Sequence, residues 1–187
     1  MANGRGWGLE RRPGRGRKVG PMTDHDLSLA EVEAIAREAH VLQTDKAGRP
    51  YGEHLAAVAE GVRVRGGDDR QIAAAWLHDA VEDDALSARW LAEAALPQEV
   101  KDMVLAVTKR PGEELSSYTA RILATPGALL IKEADLAHNA DPARLAVLDE
   151  ATRTRLTAKY AQVRGLLGLV GDESPSDRKN QANPGTH

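Results

Sequence analysis

Apolar side chains recur every three or four positions through most of the chain. The first such run follows Ser28 along one helical face and comprises Leu29, Val32, Ile35, Ala36 and Ala39. Ser28 and Glu31 have the spacing of a capping box, in which each side chain accepts a hydrogen bond from the backbone N–H of the other at a helix N-terminus. The alternation of apolar and polar residues that marks a half-buried strand is missing. The pattern predicts an all-α domain built as a single helical bundle.

Glycine, proline and capping residues divide this pattern into successive helices. Helices are expected from about Glu53 to Gly66-Gly67, from Asp68 or Asp69 through Ala80, from Ser87 through Ala94, from Pro97 to Pro111-Gly112, around Tyr118–Leu123, from Pro126-Gly127 to near Asn139, and from about Glu150 to Leu169. The helix that begins at Asp68 or Asp69 is expected to carry the doublet His78-Asp79 near its end.

The two ends of the chain lack this pattern. Residues 1–21 are dominated by Gly, Arg and Pro, and residues 171–187 by Gly, Pro, Ser, Asn and Asp. Neither segment can bury enough apolar surface to fold, so we expect disorder at both ends and a folded domain at residues 22–170. Met22 follows the first segment directly and is an alternative start of the protein. A second interpretation makes residues 1–21 a basic arm that binds phosphate or nucleic acid.

Composition and charge narrow the class of protein. The length of 187 residues suits one domain, and the net charge is −3. Residues 1–21 contain six basic residues against one acidic residue, which leaves 19 basic and 27 acidic residues in the rest of the chain. Nucleic-acid binding is therefore not expected outside the basic arm. Cysteine is absent, which excludes disulfides and thiolate sites, and no apolar run has the length of a membrane span. We expect a soluble cytoplasmic protein, and the sequence leaves its oligomeric state open.

Four residues that are far apart in the sequence carry the strongest chemical signal. They are His54, the doublet His78-Asp79, and Asp135. Imidazole nitrogen together with carboxylate oxygen suits Mn²⁺, Fe²⁺, Co²⁺ or Zn²⁺ better than Ca²⁺ or Mg²⁺, which prefer oxygen alone. A single histidine on an alanine-rich helix is more often a core residue, but a cluster of acidic residues beside it is costly to bury without cations. The sequence therefore predicts a divalent-metal site.

Two further carboxylates follow the doublet. On a helix, Glu82 lies one turn after His78 and Asp83 one turn after Asp79, so both are expected to face the same cleft. A metal site with open positions lowers the pKa of bound water, and a neighbouring carboxylate can position or deprotonate that water. The group is suited to the hydrolysis of phosphate esters.

Three motifs around these residues resemble a known family. They are Ala39–Gln43 with Lys46-x-Gly48-x-Pro50-Tyr51-x-x-His54, then His78-Asp79 with Glu82-Asp83, then Ile131–Asn139. Together they resemble the HD-superfamily hydrolase domain of the RelA/SpoT family, and more closely the free-standing small alarmone hydrolases. The resemblance covers roughly residues 28–168. It implies an all-α, HD-type helical bundle that uses Mn²⁺ to remove the 3′-pyrophosphate from guanosine tetra- and pentaphosphate, with metal-activated water as the attacking group.

The resemblance also implies a role for individual residues. The implied metal ligands are His54, His78, Asp79 and Asp135, and the implied catalytic pair is Glu82 and Asp83. The implied contacts with a phosphorylated nucleotide substrate are Lys46, Tyr51, Asn139, Lys109, Tyr118 and Arg121. His40 and His138 are expected to stay outside the metal shell.

Two departures from the family pattern leave the substrate open. Asp45 stands where the family usually has an arginine, and Leu136 stands where arginine or lysine is common. An acid in place of a base reverses the local charge at a position that meets the nucleotide. One alternative is the same chemistry on another phosphorylated nucleotide, or on a phosphomonoester such as a nicotinamide dinucleotide phosphate. Another is a non-catalytic nucleotide sensor or interaction module, although such a protein would have no need of the Glu82-Asp83 pair.

Overall fold

The computed structural model describes residues 26–169, and this part of the chain contains nine α-helices. They are α1 Leu29–Ala39, α2 Tyr51–Val64, α3 Asp69–Trp76, α4 Ala88–Glu93, α5 Gln98–Val107, α6 Leu115–Ala124, α7 Ala128–Asn139, α8 Pro142–Ala146 and α9 Glu150–Leu166. This range contains no strand, only one isolated antiparallel bridge between Thr44 and Pro50, and none of its helices is long and apolar enough to cross a membrane. The predicted all-α fold is confirmed. The predicted disordered ends, residues 1–21 and 171–187, lie outside the described residues.

The predicted capping residues begin their helices as expected. At α1 the backbone N–H of Ser28 donates to the Glu31 carboxylate at 2.8 Å, and the Glu31 N–H donates to the Ser28 hydroxyl at 3.3 Å. At α3 the Asp68 N–H donates to Oε1 of Gln71 at 3.0 Å, and the Gln71 N–H donates to Oδ1 of Asp68 at 2.9 Å. Both pairs satisfy N–H groups that have no partner inside the helix.

The short helix α8 is absent from the sequence-based prediction. Asp141 caps it by accepting hydrogen bonds from the N–H groups of Ala143 and Arg144 at 2.7 and 3.3 Å, and Pro142 occupies the first turn. A cap followed by proline is a helix-start signal, but five residues are too few to show a helical period of apolar positions.

The core brings α2, α3 and α7 together. The helices α1 and α5 pack against α3, whereas α6 and α9 cover α7. Three consecutive alanines of α3, at residues 73–75, are fully buried, and their small side chains let the neighbouring helices approach closely. Leu55 of α2 and Ile131 of α7 are also fully buried in this core. The packing therefore sets α2 and α7 beside the end of α3, where the doublet lies.

The expectation that the doublet lies on a helix is wrong. The helix α3 ends at Trp76, and residues 77–84 form a run of tight turns. The carbonyl of Ala75 accepts hydrogen bonds from both the backbone N–H and Nδ1 of His78, at 3.5 and 2.8 Å. That carbonyl would otherwise receive the next helical hydrogen bond from Asp79, so the side chain of His78 competes with the helix. A bond of 2.9 Å from the Asp83 N–H to the Asp79 carbonyl still keeps the acidic residues close to the doublet.

Candidate metal centre

Three separate elements bring the four predicted metal ligands together. His54 comes from α2, His78 and Asp79 from the turn after α3, and Asp135 from α7. Nε2 of His54 lies 3.3 Å from Nε2 of His78, and 3.5 Å from both Oδ2 of Asp79 and Oδ1 of Asp135. Nε2 of His78 lies 2.9 Å from Oδ2 of Asp79 and 3.9 Å from Oδ1 of Asp135. The ligand atoms of His54, His78 and Asp79 lie within 4.8 Å of one another and could hold a metal ion, and Oδ1 of Asp135 borders this group beside His54.

The hydrogen bond of His78 fixes which nitrogen keeps its proton when the ring is neutral, as it is when a metal ion replaces the other proton. Nδ1 of this ring lies 2.8 Å from the carbonyl oxygen of Ala75. Because a carbonyl oxygen only accepts, Nδ1 is the donor and Nε2 of the neutral ring presents its lone pair to the other ligands. This is the tautomer that a metal ligand requires.

A second histidine lies behind His54. Nδ1 of His54 is 2.7 Å from Nδ1 of His138, and the two rings stack with centroids 5.0 Å apart. Burial lowers the pKa of His138 to about 4, with further contributions from Arg144 and His54, so the ring is neutral near neutral pH and can accept a hydrogen bond. When His54 donates through Nδ1, its own Nε2 lone pair points at the other ligands.

The centre attracts positive charge. Although burial lowers the pKa of His78, the carboxylates of Asp79 and Asp135 raise it to about 9. Burial raises the pKa of Asp79, but the imidazoles of His78 and His54 outweigh this effect and hold it well below its usual value. Without a metal ion, a proton on His78 balances part of the negative charge of the two carboxylates. A divalent cation bound by the two imidazoles and the two carboxylates would balance the same charge. The donor set fits a divalent transition metal.

Other side chains hold the two carboxylates in place. The Tyr51 hydroxyl donates to Oδ2 of Asp79 at 2.6 Å, and Nζ of Lys132 donates to Oδ2 of Asp135 at 2.7 Å. The amide of Asn139 donates to Oδ1 of the same aspartate. Burial and the charge of Asp79 raise the pKa of Tyr51, which keeps its hydroxyl a donor. Partners of this kind orient metal ligands and contribute to metal affinity.

The acidic pair faces the same space from the turn region. Oε2 of Glu82 accepts a hydrogen bond of 2.7 Å from the backbone N–H of Lys109, yet burial raises the pKa of this carboxyl above its usual value. Oδ2 of Asp83 accepts from Nε2 of Gln43 at 2.6 Å, and Oε1 of Gln43 lies 2.6 Å from Nδ1 of His40. Each carboxylate is thus positioned by a different neighbour, and Glu82 has the raised pKa that suits proton transfer.

A cavity of about 560 Å³ is lined by three of the four predicted ligands, His54, Asp79 and Asp135, and by the acidic pair. Its size is in the range of sites that hold small molecules and cofactors. Five basic residues line it: Lys46, Lys109, Lys132, Arg144 and Lys159. A wall of largely apolar residues lies on one side: Leu145, Leu148, Leu156, Tyr160 and Val163. Basic and apolar walls together suit a ligand that carries phosphates and a ring.

Comparison with known proteins identifies the domain. The sequence profile of the family described as HD domain matches residues 33–122. The chain carries an HD domain. The matched segment includes His54, the doublet His78-Asp79 and the acidic pair, whereas Asp135 lies beyond it in α7.

Two curated relatives share this part of the chain. A probable guanosine-3′,5′-bis(diphosphate) 3′-pyrophosphohydrolase of Synechocystis sp. is 38% identical over 91 residues, which are 49% of this chain and 12% of that protein. A probable GTP pyrophosphokinase of Mycobacterium leprae is 33% identical over 114 residues, which are 56% of this chain and 14% of that protein. The chain therefore matches only a small part of each relative's length. With the HD-domain match, these relatives confirm the predicted HD-superfamily domain of RelA/SpoT type.

The HD domain brings five of the six predicted substrate contacts to the cavity. These five are Lys46, Tyr51, Lys109, Tyr118 and Asn139. Tyr118 is buried, and its hydroxyl donates to the carbonyl of Val107 at 2.6 Å. Nζ of Lys109 donates to the carbonyl of Glu113 at 2.9 Å. Tyr118 therefore shapes the cavity wall, and Lys109 contributes its charge from a fixed position.

Arg121, the sixth predicted contact, does not line the cavity. Its guanidinium donates to the carbonyls of Leu105, Ala106 and Thr108, at the end of α5, and pairs with the Glu113 carboxylate at 2.6 Å. The last carbonyls of a helix have no partner inside it, so a guanidinium placed there satisfies several at once. Arg121 therefore caps the C-terminal end of α5.

Three basic residues of the cavity were missed at the level of sequence. The position of Lys132 could have been predicted, because it precedes Asp135 by three residues and helical spacing places the two side chains together. Arg144 lies on the unpredicted helix α8 and pairs with Asp45 across the cavity wall. Lys159 lies on α9 among exposed polar residues, and no local pattern distinguishes it from them.

Proposed function

We propose that this HD domain is a metal-dependent phosphohydrolase that removes the 3′-pyrophosphate from guanosine 3′,5′-bis(diphosphate). The observation that carries the proposal is the convergence of Nε2 of His54 and His78 with the carboxylates of Asp79 and Asp135, at one end of a cavity with basic walls. The name of the Synechocystis relative states this activity and supports the choice of substrate.

The four converging residues are assigned as ligands of a divalent cation, with Mn²⁺ as the proposed ion. When bound, such a cation lowers the pKa of water and offsets charge on phosphoryl oxygens. The hydrogen bonds that Tyr51, Lys132 and Asn139 donate to the two aspartates support this assignment, because they fix the carboxylates in their inward orientation.

Glu82 is proposed as the general base. The N–H of Lys109 holds one carboxylate oxygen, and the second oxygen takes the proton of the attacking water. Burial brings the pKa of Glu82 closer to neutral pH, where a base is most effective. Asp83, which Gln43 holds by a hydrogen bond, is assigned to orienting the reacting groups or assisting the leaving group.

The substrate is proposed to lie along the basic walls of the cavity. Lys46 and Lys109 offset the negative charge of its phosphates, while Tyr51, Tyr118 and Asn139 shape the end nearest the cation. The functional unit is proposed to be residues 22–170, with a phosphorylated nucleotide as its ligand and the cytoplasm as its location.

The direct test incubates the purified full chain, loaded with Mn²⁺, with guanosine 3′,5′-bis(diphosphate). Anion-exchange chromatography is expected to detect equal amounts of pyrophosphate and guanosine 5′-diphosphate. The Asp79→Ala variant, prepared in the same way, is the control for contaminating hydrolases. Unchanged nucleotide after prolonged incubation with loaded protein would refute the proposal.

A second candidate keeps the chemistry and changes the substrate to another phosphorylated nucleotide. Asp45 favours it, because an acidic side chain stands at the cavity wall where the resemblance leads one to expect an arginine. A panel that includes 3′-phosphorylated nucleosides and a nicotinamide dinucleotide phosphate separates the two candidates. The substrate with the highest kcat/KM identifies which one is correct.

A further inference from the structure

The segment between α5 and α6, residues 108–114, contacts the acidic pair from a distant part of the sequence. Within residues 26–169, the backbone N–H of Lys109 is the one hydrogen-bond donor that the structure gives to the Glu82 carboxylate, at 2.7 Å. Glu82 is the proposed general base. The position of its carboxylate therefore depends on how firmly the segment holds this single N–H.

The peptide group between Thr108 and Lys109 is hydrogen-bonded on both sides. Its N–H donates to Oε2 of Glu82, and its C=O accepts from the two terminal nitrogens of Arg121, at 3.2 and 3.1 Å. In a trans peptide group, which is planar, the C=O and the N–H point in opposite directions. A guanidinium that fixes the oxygen therefore also sets the direction of the N–H. Donation to the oxygen polarises the group as well, which strengthens the N–H as a donor.

Glu113 holds the guanidinium of Arg121 in this position. Its two carboxylate oxygens accept from one terminal nitrogen of Arg121 at 2.8 and 2.6 Å, and the same nitrogen donates to the C=O of Thr108. The hydrogen bond from Arg121 lowers the pKa of Glu113, so the carboxylate is charged near neutral pH. Only 11% of the Glu113 side chain and 19% of the Arg121 side chain are exposed, so the pair is less screened by water than a surface ion pair.

A tight turn connects Glu113 back to Lys109. The N–H of Glu113 donates to the C=O of Arg110 at 3.1 Å. Pro111 and Gly112 lie between them, and Gly112 has a φ of +70°, which is the sequence and backbone pattern of a type II turn. Nζ of Lys109 donates to the C=O of Glu113 at 2.9 Å, and the N–H of Arg110 donates to Oε2 of Glu113 at 3.1 Å. The turn therefore joins the carboxylate that anchors the guanidinium to the residue whose N–H holds the base.

Arg121 does not line the cavity, so its effect on the reaction has to pass through other groups. We propose that Arg121 is a positioning residue for the general base: by binding the C=O of Thr108, it aims the next N–H of the chain at the Glu82 carboxylate. The inference rests on the proposed function, because it concerns the base of that reaction. It gives Arg121 a role in turnover in addition to capping α5.

The first test needs no turnover. NMR spectroscopy of the isotope-labelled full chain near neutral pH locates the amide proton of Lys109, which is expected downfield because it bonds to a carboxylate. Glu82→Ala shows where the same proton lies without that bond. Arg121→Met should move the Lys109 signal most of the way to its position in Glu82→Ala, because the peptide group is then free to turn.

The second test measures turnover in two backgrounds. Arg121→Met should lower kcat about tenfold or more and leave KM near that of the parent, because small displacements of a reacting group are costly. In the Glu82→Gln background the same change should cause no further loss of kcat, because no base is left to position. Arg121→Lys can still donate to the C=O of Thr108 and should recover part of kcat. A residue that only stabilised the fold would lower kcat by the same factor in both backgrounds.

Two neighbouring glutamates provide a matched pair of variants. Glu113→Ala removes the anchor of the guanidinium and should repeat both effects of Arg121→Met at smaller size. It decides the question if Arg121→Met does not fold. Glu114 is exposed, makes no side-chain hydrogen bond at the start of α6 and does not line the cavity. Glu114→Ala removes the same charge one residue later and should change neither the Lys109 signal nor kcat.

The inference and the proposed function fail separately. An unmoved Lys109 signal in folded Arg121→Met, or in Glu113→Ala if the first variant does not fold, overturns the positioning role whatever the activity. An equal loss of kcat in the parent and Glu82→Gln backgrounds overturns it too. If the signal moves as expected while the parent releases no pyrophosphate from guanosine 3′,5′-bis(diphosphate), Arg121 still positions Glu82 and the proposed function is wrong.

Discussion

Asp45 and Arg144 form an ion pair that joins the loop before α2 to α8. Oδ2 of Asp45 lies 2.8 Å from a terminal nitrogen of Arg144, and 5% of the Asp45 side chain and 14% of the Arg144 side chain are exposed. The other oxygen of Asp45 accepts hydrogen bonds from the N–H groups of Ala47 and Arg49, at 2.8 and 3.0 Å. Asp45 therefore links the loop before α2 to α8 in one wall of the cavity. Position 45 lacks the arginine that the family usually has there, but Arg144 places an arginine in the same wall.

Placing arginine at position 45 is therefore expected to destabilise the protein. Asp45→Arg sets two guanidinium groups against each other and leaves two N–H groups without their acceptor, which should cost about 2 kcal/mol or more of unfolding free energy. The double variant Asp45→Arg with Arg144→Asp restores an ion pair of opposite orientation and should recover part of that loss. Urea unfolding of the parent, both single variants and the double variant measures the coupling between the two positions. Purely additive effects would mean that the pair contributes nothing.

The same carboxyl predicts a pH dependence of stability. Burial favours its neutral form, but the N–H groups of Arg49 and Ala47 and the charge of Arg144 outweigh this effect and lower the pKa of Asp45 below its usual 3.8. A carboxyl whose pKa is lower in the folded protein stabilises the fold above the unfolded pKa, and this contribution is lost as the pH falls through the folded value.

Asp45→Asn keeps an acceptor for Ala47 and Arg49 but removes the charge. The parent should be more stable than this variant at about pH 7, and the difference should shrink as the pH falls below about 4. Urea unfolding of both proteins at several pH values measures it. A difference that stays constant down to about pH 3 would show that the charge of Asp45 is not what stabilises the wall.

The roles proposed for Asp79 and Glu82 predict different losses. Asp79→Ala should abolish Mn²⁺ binding and turnover together, because it removes a ligand. Glu82→Gln should leave the metal bound and lower kcat by about 10²-fold or more, because an amide cannot take a proton. Calorimetric titration with Mn²⁺ and steady-state kinetics on the same preparations separate the two. Full turnover in Glu82→Gln would falsify its assignment as the base.

Arg121 tests whether a residue that the family resemblance marks as a substrate contact acts on the fold instead. Arg121→Met removes the donors that satisfy the end of α5, and should lower unfolding free energy by about 2 kcal/mol or more. The KM of the variant, measured well below its melting temperature, should stay near that of the parent. A raised KM with unchanged stability would instead assign Arg121 to the substrate.

The features of this structure that depend on local chemistry could be predicted from the sequence. Ser28, Asp68 and Ser87 begin their helices as predicted, because a capping hydrogen bond spans only three residues. The four converging residues were identified by residue type and motif, without knowledge of how α2, α3 and α7 pack. The features that the sequence did not predict depend on tertiary contacts. The side chain of His78 ends α3 early, Arg121 caps a helix from another helix, and Lys159 owes its place in the cavity to the course of α9.

His138 carries the last prediction, because it touches the centre only through another residue. Its Nδ1 lies 2.7 Å from Nδ1 of His54, so its loss leaves that ligand without the partner that fixes its ring and tautomer. His138→Ala should weaken Mn²⁺ binding by about 10- to 100-fold, the usual effect of removing such a partner, with little change in unfolding free energy. His138→Gln, whose amide oxygen can accept the same N–H, is the matched variant and should keep more of the affinity. If alanine and glutamine variants bind Mn²⁺ as tightly as the parent, His54 is oriented by its packing in α2 alone.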